Sequence, residues 1–366
     1  MRIAQIAPLI ESVPPRRYGG TERIVSYLTE ELVRAGHEVT LFASGDSLTA
    51  AELAPMCEMG LRLSPADADP VVHHLIMLEE VRRRADEFDV LHLHVDLLQF
   101  SVLREHRQRC LTTLHGRLDL PVAHRLYATY DDFPLVSISD HQRLPMPPVN
   151  WAGTVLHGLP TDLLPFSPKS DGYLAFLGRI SPEKRPDRAI EMAVRAGRPL
   201  KIAAKVDAAD KPYWESVIRP MVEANPNVEF IGEIDERQKA DFLGRADALL
   251  FPIDWPEPFG LVMIEAMACG TPVIAFPCGS VPEVLQDGLT GYFVTSVEEG
   301  AARIGDIGRL DRAVIRRIFE RRFSAERMAR DYVAIYQRLV GAAPVRMRRP
   351  ERGLFKAANG SRNAPL

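Results

Sequence analysis

Short apolar runs alternate with amphipathic helical stretches along almost the whole chain, and this alternation is the strongest constraint on its fold. Residues 2–7 read as a first strand. A long Pro/Arg/Gly loop follows, and Gly19-Gly20-Thr21-Glu22 opens a helix in which Ile24, Val25, Leu28, Leu32 and Val33 keep helical spacing. Gly36 ends it. Strands are then expected at 38–42, 90–94, 110–114, 135–139 and 154–157, with helices near 71–86 and after Asp96. Strands separated by helices pair in parallel, and the resulting sheet is covered on both faces.

A second series has the same character: strands at 173–177, 200–204, 228–231, 248–251 and 272–275, with helices at 185–196, 213–224 and 237–244. Between the two series, 158–171 contains three prolines and little periodicity. A chain of 366 residues is too long for one ordinary core, so two domains are expected. The reading is an α/β protein of two doubly wound, Rossmann-like parallel-sheet domains facing each other across a cleft. Residues 1–160 form the first domain, 161–171 the linker and 172–324 the second. A helix at 325–340 is expected to pack back on the first domain, and the basic stretch 341–366 to be a disordered tail.

With 46% hydrophobic and 26% charged residues the composition is that of an ordinary globular protein. A net charge of −4 gives no whole-protein argument for binding nucleic acid. Cys57, Cys110, Cys269 and Cys278 form no C-x-x-C pair, which fits reduced thiols. Gln5, Pro8 and Glu11 interrupt any secretory apolar core, and no uncharged run is long enough to span a bilayer. The expectation is a cytoplasmic protein. Arg346, Arg348, Arg349, Arg352, Lys356 and Arg362 in the tail leave room for peripheral contact with anionic membrane.

The chemistry concentrates in FPIDWPEPFGLVMIEAMACG, residues 251–270. Leu261, Val262, Met263, Ile264, Ala266, Met267 and Ala268 make a helix without a polar face, which belongs in an interior. Glu265 sits within it, and Glu257 stands eight residues earlier in the preceding loop. A buried carboxylate without partners costs several kcal/mol. The first-turn amides around Phe259, Gly260, Leu261 and Val262 have no intrahelical partner and, with the helix dipole, make an anion seat. Two hydroxyl-binding acids flanking a phosphate seat match the layout of a nucleotide sugar.

Gly178-Arg179-Ile180-Ser181-Pro182-Glu183-Lys184 follows directly on an expected strand, where ligands bind in open α/β sheets. Arg179 offers a planar fork to phosphate oxygens, and Lys184 a mobile point charge. Gly19 and Gly20 end the long first loop, where backbone must approach a ligand closely, or else simply start a helix. His92, His94 and Asp96 alternate on one strand face, but no matching ligand set accompanies them, so no metal is expected. His94 and Asp96 are read instead as lining the acceptor side of the cleft. Asp67-Ala68-Asp69 has the form of a metal–diphosphate D-x-D without a supporting strand, and is read as chance.

EPFGLVMIEAMACGTPVIA, with GSVPEVLQDGLTG after it, resembles the donor-binding signature of retaining family-4 glycosyltransferases of the GT-B fold. YGGTER, Leu114-His115-Gly116, VSISDHQR and GRISPEKRPD extend the resemblance over most of the chain. It implies that Glu257 holds the transferred sugar and Glu265 the ribose. It also implies that Arg179 and Lys184 stabilise the departing diphosphate, with the Gly19-Gly20 loop facing it. By the same resemblance, His115 lies beside the transferred sugar, and the loop Ile231, Gly232, Glu233, Ile234 reads the base edge. A satisfied core histidine remains an alternative for His115. The family has glycine after the lysine, whereas this chain has Arg185.

The implied reaction is metal-independent front-face transfer from a UDP-sugar to an unidentified acceptor hydroxyl, with no cofactor. A non-hydrolysing nucleotide-sugar epimerase and a non-catalytic sugar-nucleotide-binding protein are the alternatives. An NAD-dependent enzyme would carry G-x-G-x-x-G at the first strand–helix turn, which is absent here.

Overall fold

Seven parallel strands make the first sheet: β1 (Arg2–Ile6), β2 (Glu38–Ala43), β3 (Glu52–Pro55), β4 (Val90–Leu93), β5 (Cys110–Thr113), β6 (Leu135–Ser137) and β7 (Trp151–Thr154). Their order is β3-β2-β1-β4-β5-β6-β7. The structure is a computed structural model and describes residues 1–16, 19–64 and 69–342. From residue 343 on, the tail read as disordered lies outside the described residues, as does Asp67 of the D-x-D.

The second sheet holds β8 (Tyr173–Arg179), β9 (Leu200–Lys205), β10 (Val228–Gly232), β11 (Ala246–Phe251), β12 (Val273–Ala275) and β13 (Gly291–Phe293), all parallel, in the order β10-β9-β8-β11-β12-β13. Each sheet reverses direction of growth once, at β1/β4 and at β8/β11. The crevice beyond the strand ends at such a reversal is where open α/β sheets bind ligands.

Strands buried on both faces explain the unbroken apolar runs. On one face of the first sheet Ile3 packs with Ile24, Leu28 and Leu32 of the helix Gly20–Arg34. On the other, Ile6 packs with Phe42, Met77 and Phe100. The C-terminal helix Ala325–Ala342 adds Met328, Tyr332, Ile335 and Tyr336 to the first of these layers. The chain therefore crosses between the domains twice, and the crossings touch: Leu159 bridges Ser324, and Arg327 Nη2 donates to the carbonyls of Leu156 and His157.

Several elements differ from the expectation. The strand expected at 154–157 is Trp151–Thr154, so His157 lies beyond the sheet. The strand expected at 135–139 stops at Ser137; Ser139 instead donates to Pro258 O at 2.7 Å. The helix expected at 213–224 is broken into Lys211–Tyr213, a π-turn at Trp214–Ile218 and Arg219–Glu223. Pro220 has no N–H and crowds the carbonyl four residues back, which accounts for the wide turn before it.

The apolar helix Leu261–Ala268 is enclosed as its composition demands. Met263, Ile264 and Met267 pack with Leu249 of β11 and with Ile315 and Phe319 of the helix Arg312–Arg322.

Candidate active site

Lys184 and Glu257 come together at the β8/β11 reversal. β8 ends at Arg179 and a short 3-10 turn, Pro182–Lys184, carries Lys184 over the end of β11. There Lys184 Nζ forms an ion pair with Glu257 Oε2. Trp255 Nε1 donates to the same oxygen at 2.9 Å, and its ring lies 4.8 Å from Lys184 Nζ. Glu257 is only 9% exposed, so both charges are largely removed from water and depend on each other.

The loop that holds Glu257 is fixed by close backbone packing. Gly279, at φ +61°, leaves so little room that a Cβ there would lie 2.3 Å from Glu257 N and 2.5 Å from its O. Ser280 N donates to Glu257 O at 3.0 Å, and Ser280 Oγ to Phe259 O at 2.9 Å. Gly260, at φ +78°, then turns the chain into the helix Leu261–Ala268. Neither Trp255 nor the Gly279-Ser280 brace is legible from sequence: Trp255 acts through its indole N–H and the brace through backbone shape, and neither carries a recognisable acid–base pattern.

Glu265 lies in that helix, 4% exposed, and Lys239 Nζ reaches its Oε1 at 2.7 Å. Lys239 also approaches Glu236 Oε2 at 3.5 Å, and Arg23 of the first domain pairs with that same oxygen. An ion ladder therefore runs from the helix Leu261–Ala268 across to the helix Gly20–Arg34. The helix Glu236–Gly244 carrying Lys239 begins in a capping box between Asp235 and Gln238. Immediately before it stand Ile231, Gly232, Glu233 and Ile234, where β10 ends and Gly232 takes φ +78°. Lys239 was not read from sequence; only three-dimensional packing puts it against Glu265.

Arg179 is not a bare cation. Glu183 Oε1 pairs with it, and Asp210 Oδ2 and Asp207 Oδ2 stand at 3.5 and 3.8 Å. Arg185, in the position where the family has glycine, adopts the left-handed conformation at φ 53°, ψ 50°. Its guanidinium is held by Asp187 at 2.7 Å and Asp254 at 3.0 Å. Those bonds offset the cost of a left-handed non-glycine residue, about 1–2 kcal/mol.

The first domain brings its own residues to the opposite wall. Gly20 faces the helix Leu261–Ala268: a Cβ there would be 3.6 Å from Leu261 Cδ1. Gly19 is the residue before the helix and packs on Pro15. Glu283 of the second domain accepts from the amides of Asp140 and His141, both at 2.7 Å, and bridges the cleft at its side. His115 follows β5, with its ring stacked 5.3 Å from His157, whose ring meets Phe259 edge-on at 4.8 Å. Burial pushes the His115 imidazole down to about 3 and His94 and His157 well below their ordinary values.

His94 does not line the cleft. It is 2% exposed, and its two ring nitrogens meet His115 Nε2 at 2.9 Å and Gln5 Oε1 at 2.8 Å. The pleat turns His92 and His94 to one face, as the alternation indicates, but that face is interior. Asp96, beyond the strand, is open to solvent. Among the described residues no three His, Cys, Asp or Glu side chains converge as a metal site, and no helix is long and apolar enough to cross a membrane.

With this geometry in view, the comparisons with known proteins converge. Residues 18–143 match the model described as Glycosyltransferase Family 4, and residues 165–307 that described as Glycosyl transferases group 1. D-inositol 3-phosphate glycosyltransferases from Mycobacterium tuberculosis and Mycobacterium bovis are 31% identical over 186 residues. That match spans 48% of this chain and 38% of the length of those curated relatives. Among solved structures, a glycosyltransferase involved in avilamycin A biosynthesis superposes with a TM-score of 0.68 at 24% identity, covering 94% of this chain and 99% of that one. Sucrose-phosphate synthase from Thermosynechococcus elongatus superposes at 0.74 with 20% identity, covering 94% and 100%. An Anabaena protein solved with UDP and glucose superposes at 0.66 with 17% identity, covering 92% and 99%. The two family models in succession and the shared two-sheet fold make this chain a family-4-like glycosyltransferase of the GT-B fold.

Proposed function

We propose that the chain transfers a sugar with retention from a nucleotide-diphosphate sugar, UDP being the expected carrier, to an acceptor hydroxyl without a metal. The observation that carries this reading is the Lys184–Glu257 pair set beside the first turn of the helix that holds Glu265. In one small region these groups offer a cation and amides for a diphosphate and separate carboxylates for two sets of hydroxyls. Glu257 takes the transferred sugar, and Glu265, steadied by Lys239, takes the ribose.

The diphosphate lies against the first-turn amides and draws Lys184 from Glu257, and Arg179 adds positive charge as its carboxylate partners yield. As the bond from the sugar's anomeric carbon to the phosphate oxygen breaks, the acceptor oxygen forms its bond on the same face. The acceptor's proton passes to the departing phosphate oxygen, and the nucleoside diphosphate leaves. Fixed charge aimed at the developing diphosphate charge supplies most of the rate, so neither a side-chain nucleophile nor a glycosidase-type carboxylate pair is required. Asp96 and the loops of the first domain hold the acceptor, whose chemistry is a free hydroxyl. The unpaired state of all four cysteines fits a reducing, cytoplasmic setting.

The test is incubation with UDP-, GDP- and ADP-sugars in the presence of EDTA, with transfer to water or to added hydroxyl compounds followed by proton NMR. The reading expects consumption of one donor class and a product of unchanged anomeric configuration. An inverted anomer, or turnover only with added metal, would overturn it.

A further inference from the structure

Behind His115 lies a buried chain of polar side chains that the transfer chemistry leaves without a task. Gln5 on β1, His92 on β4, His94 after it, Thr113 on β5, and Tyr332 and Tyr336 on the C-terminal helix are all removed from solvent. Buried donors and acceptors are costly unless paired, so each proton position in the chain is tied to its neighbours'.

Gln5 donates through Nε2 to Tyr336 OH at 3.2 Å and presents Oε1 to His94 Nε2 at 2.8 Å. A carboxamide oxygen only accepts, so His94 carries its proton on Nε2. Burial keeps His94 neutral, which leaves Nδ1 as a bare lone pair. His115 Nε2, 2.9 Å from that lone pair, must therefore donate to it. His115 is neutral as well, so its single ring proton is committed to His94. The other branch is fully paired with Gln5 in this orientation. Tyr336, having accepted from Gln5, donates to His92 Nδ1 at 2.7 Å, and His92 Nε2 donates to Thr113 Oγ1 at 2.8 Å. Thr113 Oγ1 ends the branch, 3.0 Å from Tyr332 OH.

The opposite ring nitrogen, His115 Nδ1, has no hydrogen-bond partner among the described residues. His115 is partly exposed beside exposed Gly116, and its ring stacks on His157, which abuts Phe259 at the start of the donor helix.

We propose that Gln5 and His94 are positioning residues that lock His115 as the Nε2–H tautomer, so that Nδ1 meets the substrate only as a hydrogen-bond acceptor. Resting on the donor-site reading, this makes the relay a selector of the transferred sugar. A hydroxyl at that point donates to Nδ1. A sugar lacking it leaves the nitrogen unpaired, and one oxidised there to a carboxylate sets two acceptors against each other.

The tautomer is read without substrate. Histidine-selective 15N labelling and long-range proton–nitrogen correlation at pH 7, with His115 assigned by its loss in His115→Gln, are expected to give the Nε2–H form. An Nδ1–H form overturns the proposal, whatever the donor proves to be. The selection is read separately, with paired nucleotide sugars that differ only by a hydroxyl or its oxidation to carboxylate. The wild type is expected to favour the hydroxyl sugar by about 10-fold in kcat/KM. Gln5→Met is expected to mix the His115 tautomers and shrink that preference by about 2- to 10-fold. A folded Gln5→Met protein with pure Nε2–H His115 and unchanged preference contradicts it.

Discussion

Lys184 and Glu257, 73 residues apart in sequence, close an ion pair at the mouth of the second sheet, with Trp255 Nε1 donating to the same carboxylate oxygen. The pair ties the loop after β8 to the loop after β11 across the reversal point of the sheet. Each partner is the other's main compensation for burial, and in the proposed reaction each has its own substrate group to meet.

Removing one partner should therefore do more than remove one contact. Glu257→Gln and Lys184→Ala are each expected to lower kcat/KM for the donor by about 10- to 100-fold, the worth of one charge-assisted hydrogen bond. The double variant is expected to lose less than the sum, with a coupling of about 1–3 kcal/mol in a double-mutant cycle of steady-state rates.

Gly279 tests whether the shape of the Glu257 loop matters separately from its charge. Gly279→Ala puts a methyl 2.3 Å from Glu257 N at a left-handed position, so the loop must shift. A stability loss of about 2 kcal/mol or more and a reduced kcat are expected, measured by urea unfolding and donor turnover. Gly308→Ala, where a Cβ meets nothing within 4 Å, should stay within about 0.5 kcal/mol of the parent.

Lys239 supports Glu265 in a nearly dry place. Lys239→Met leaves that carboxylate buried without its cation and is expected to cost about 3 kcal/mol in stability. Weaker binding of the nucleoside diphosphate should accompany it, because Glu265 would turn toward solvent. Thermal unfolding with and without UDP measures both.

The histidines set an acid limit. Burial lowers His92, His94, His115 and His157 below their ordinary values, His115 to about 3. Each stays neutral in the fold, while the unfolded chain takes up its proton near pH 6.5. Stability is therefore complete above about pH 6.5 and is lost as pH falls below it toward the folded values, with a slope of about 1.4 kcal/mol per pH unit for each histidine involved. Melting temperatures from pH 8 to 5 should fall steeply, and less steeply in a folded His92→Gln variant.

Much of this was legible in the chain. The period switching between strand and helix gives two doubly wound sheets, because parallel pairing is the arrangement that buries such strands on both faces. Glu257, Glu265 and Lys184 stand out in the sequence by type and place, as charged groups in an apolar helix, in the loop before it and after a strand. Lys239 and the Gly279 brace do not: they meet Glu265 and Glu257 through packing of segments more than twenty residues apart, and Trp255, two residues before Glu257, carries no acid–base pattern to mark its indole N–H. His94 shows the complementary limit. Alternation assigns its strand face, but only the packed C-terminal helix and Gln5 reveal that this face is interior. Edge strand β3, four residues ending in Pro55, has too little pattern to be read. Arg185 looked like a departure from the family's loop, yet its backbone takes the left-handed turn that glycine would supply, held there by Asp187 and Asp254.

In the proposed reaction Glu265 and the amides of its helix form a metal-free seat for a nucleoside diphosphate. Isothermal titration calorimetry of UDP into the protein in EDTA tests it most directly, with Glu265→Gln alongside. Binding of UDP in EDTA, weakened by about 10-fold or more in Glu265→Gln, is the predicted result. Absence of binding by UDP, GDP and ADP alike, or equal binding by the variant, would contradict it.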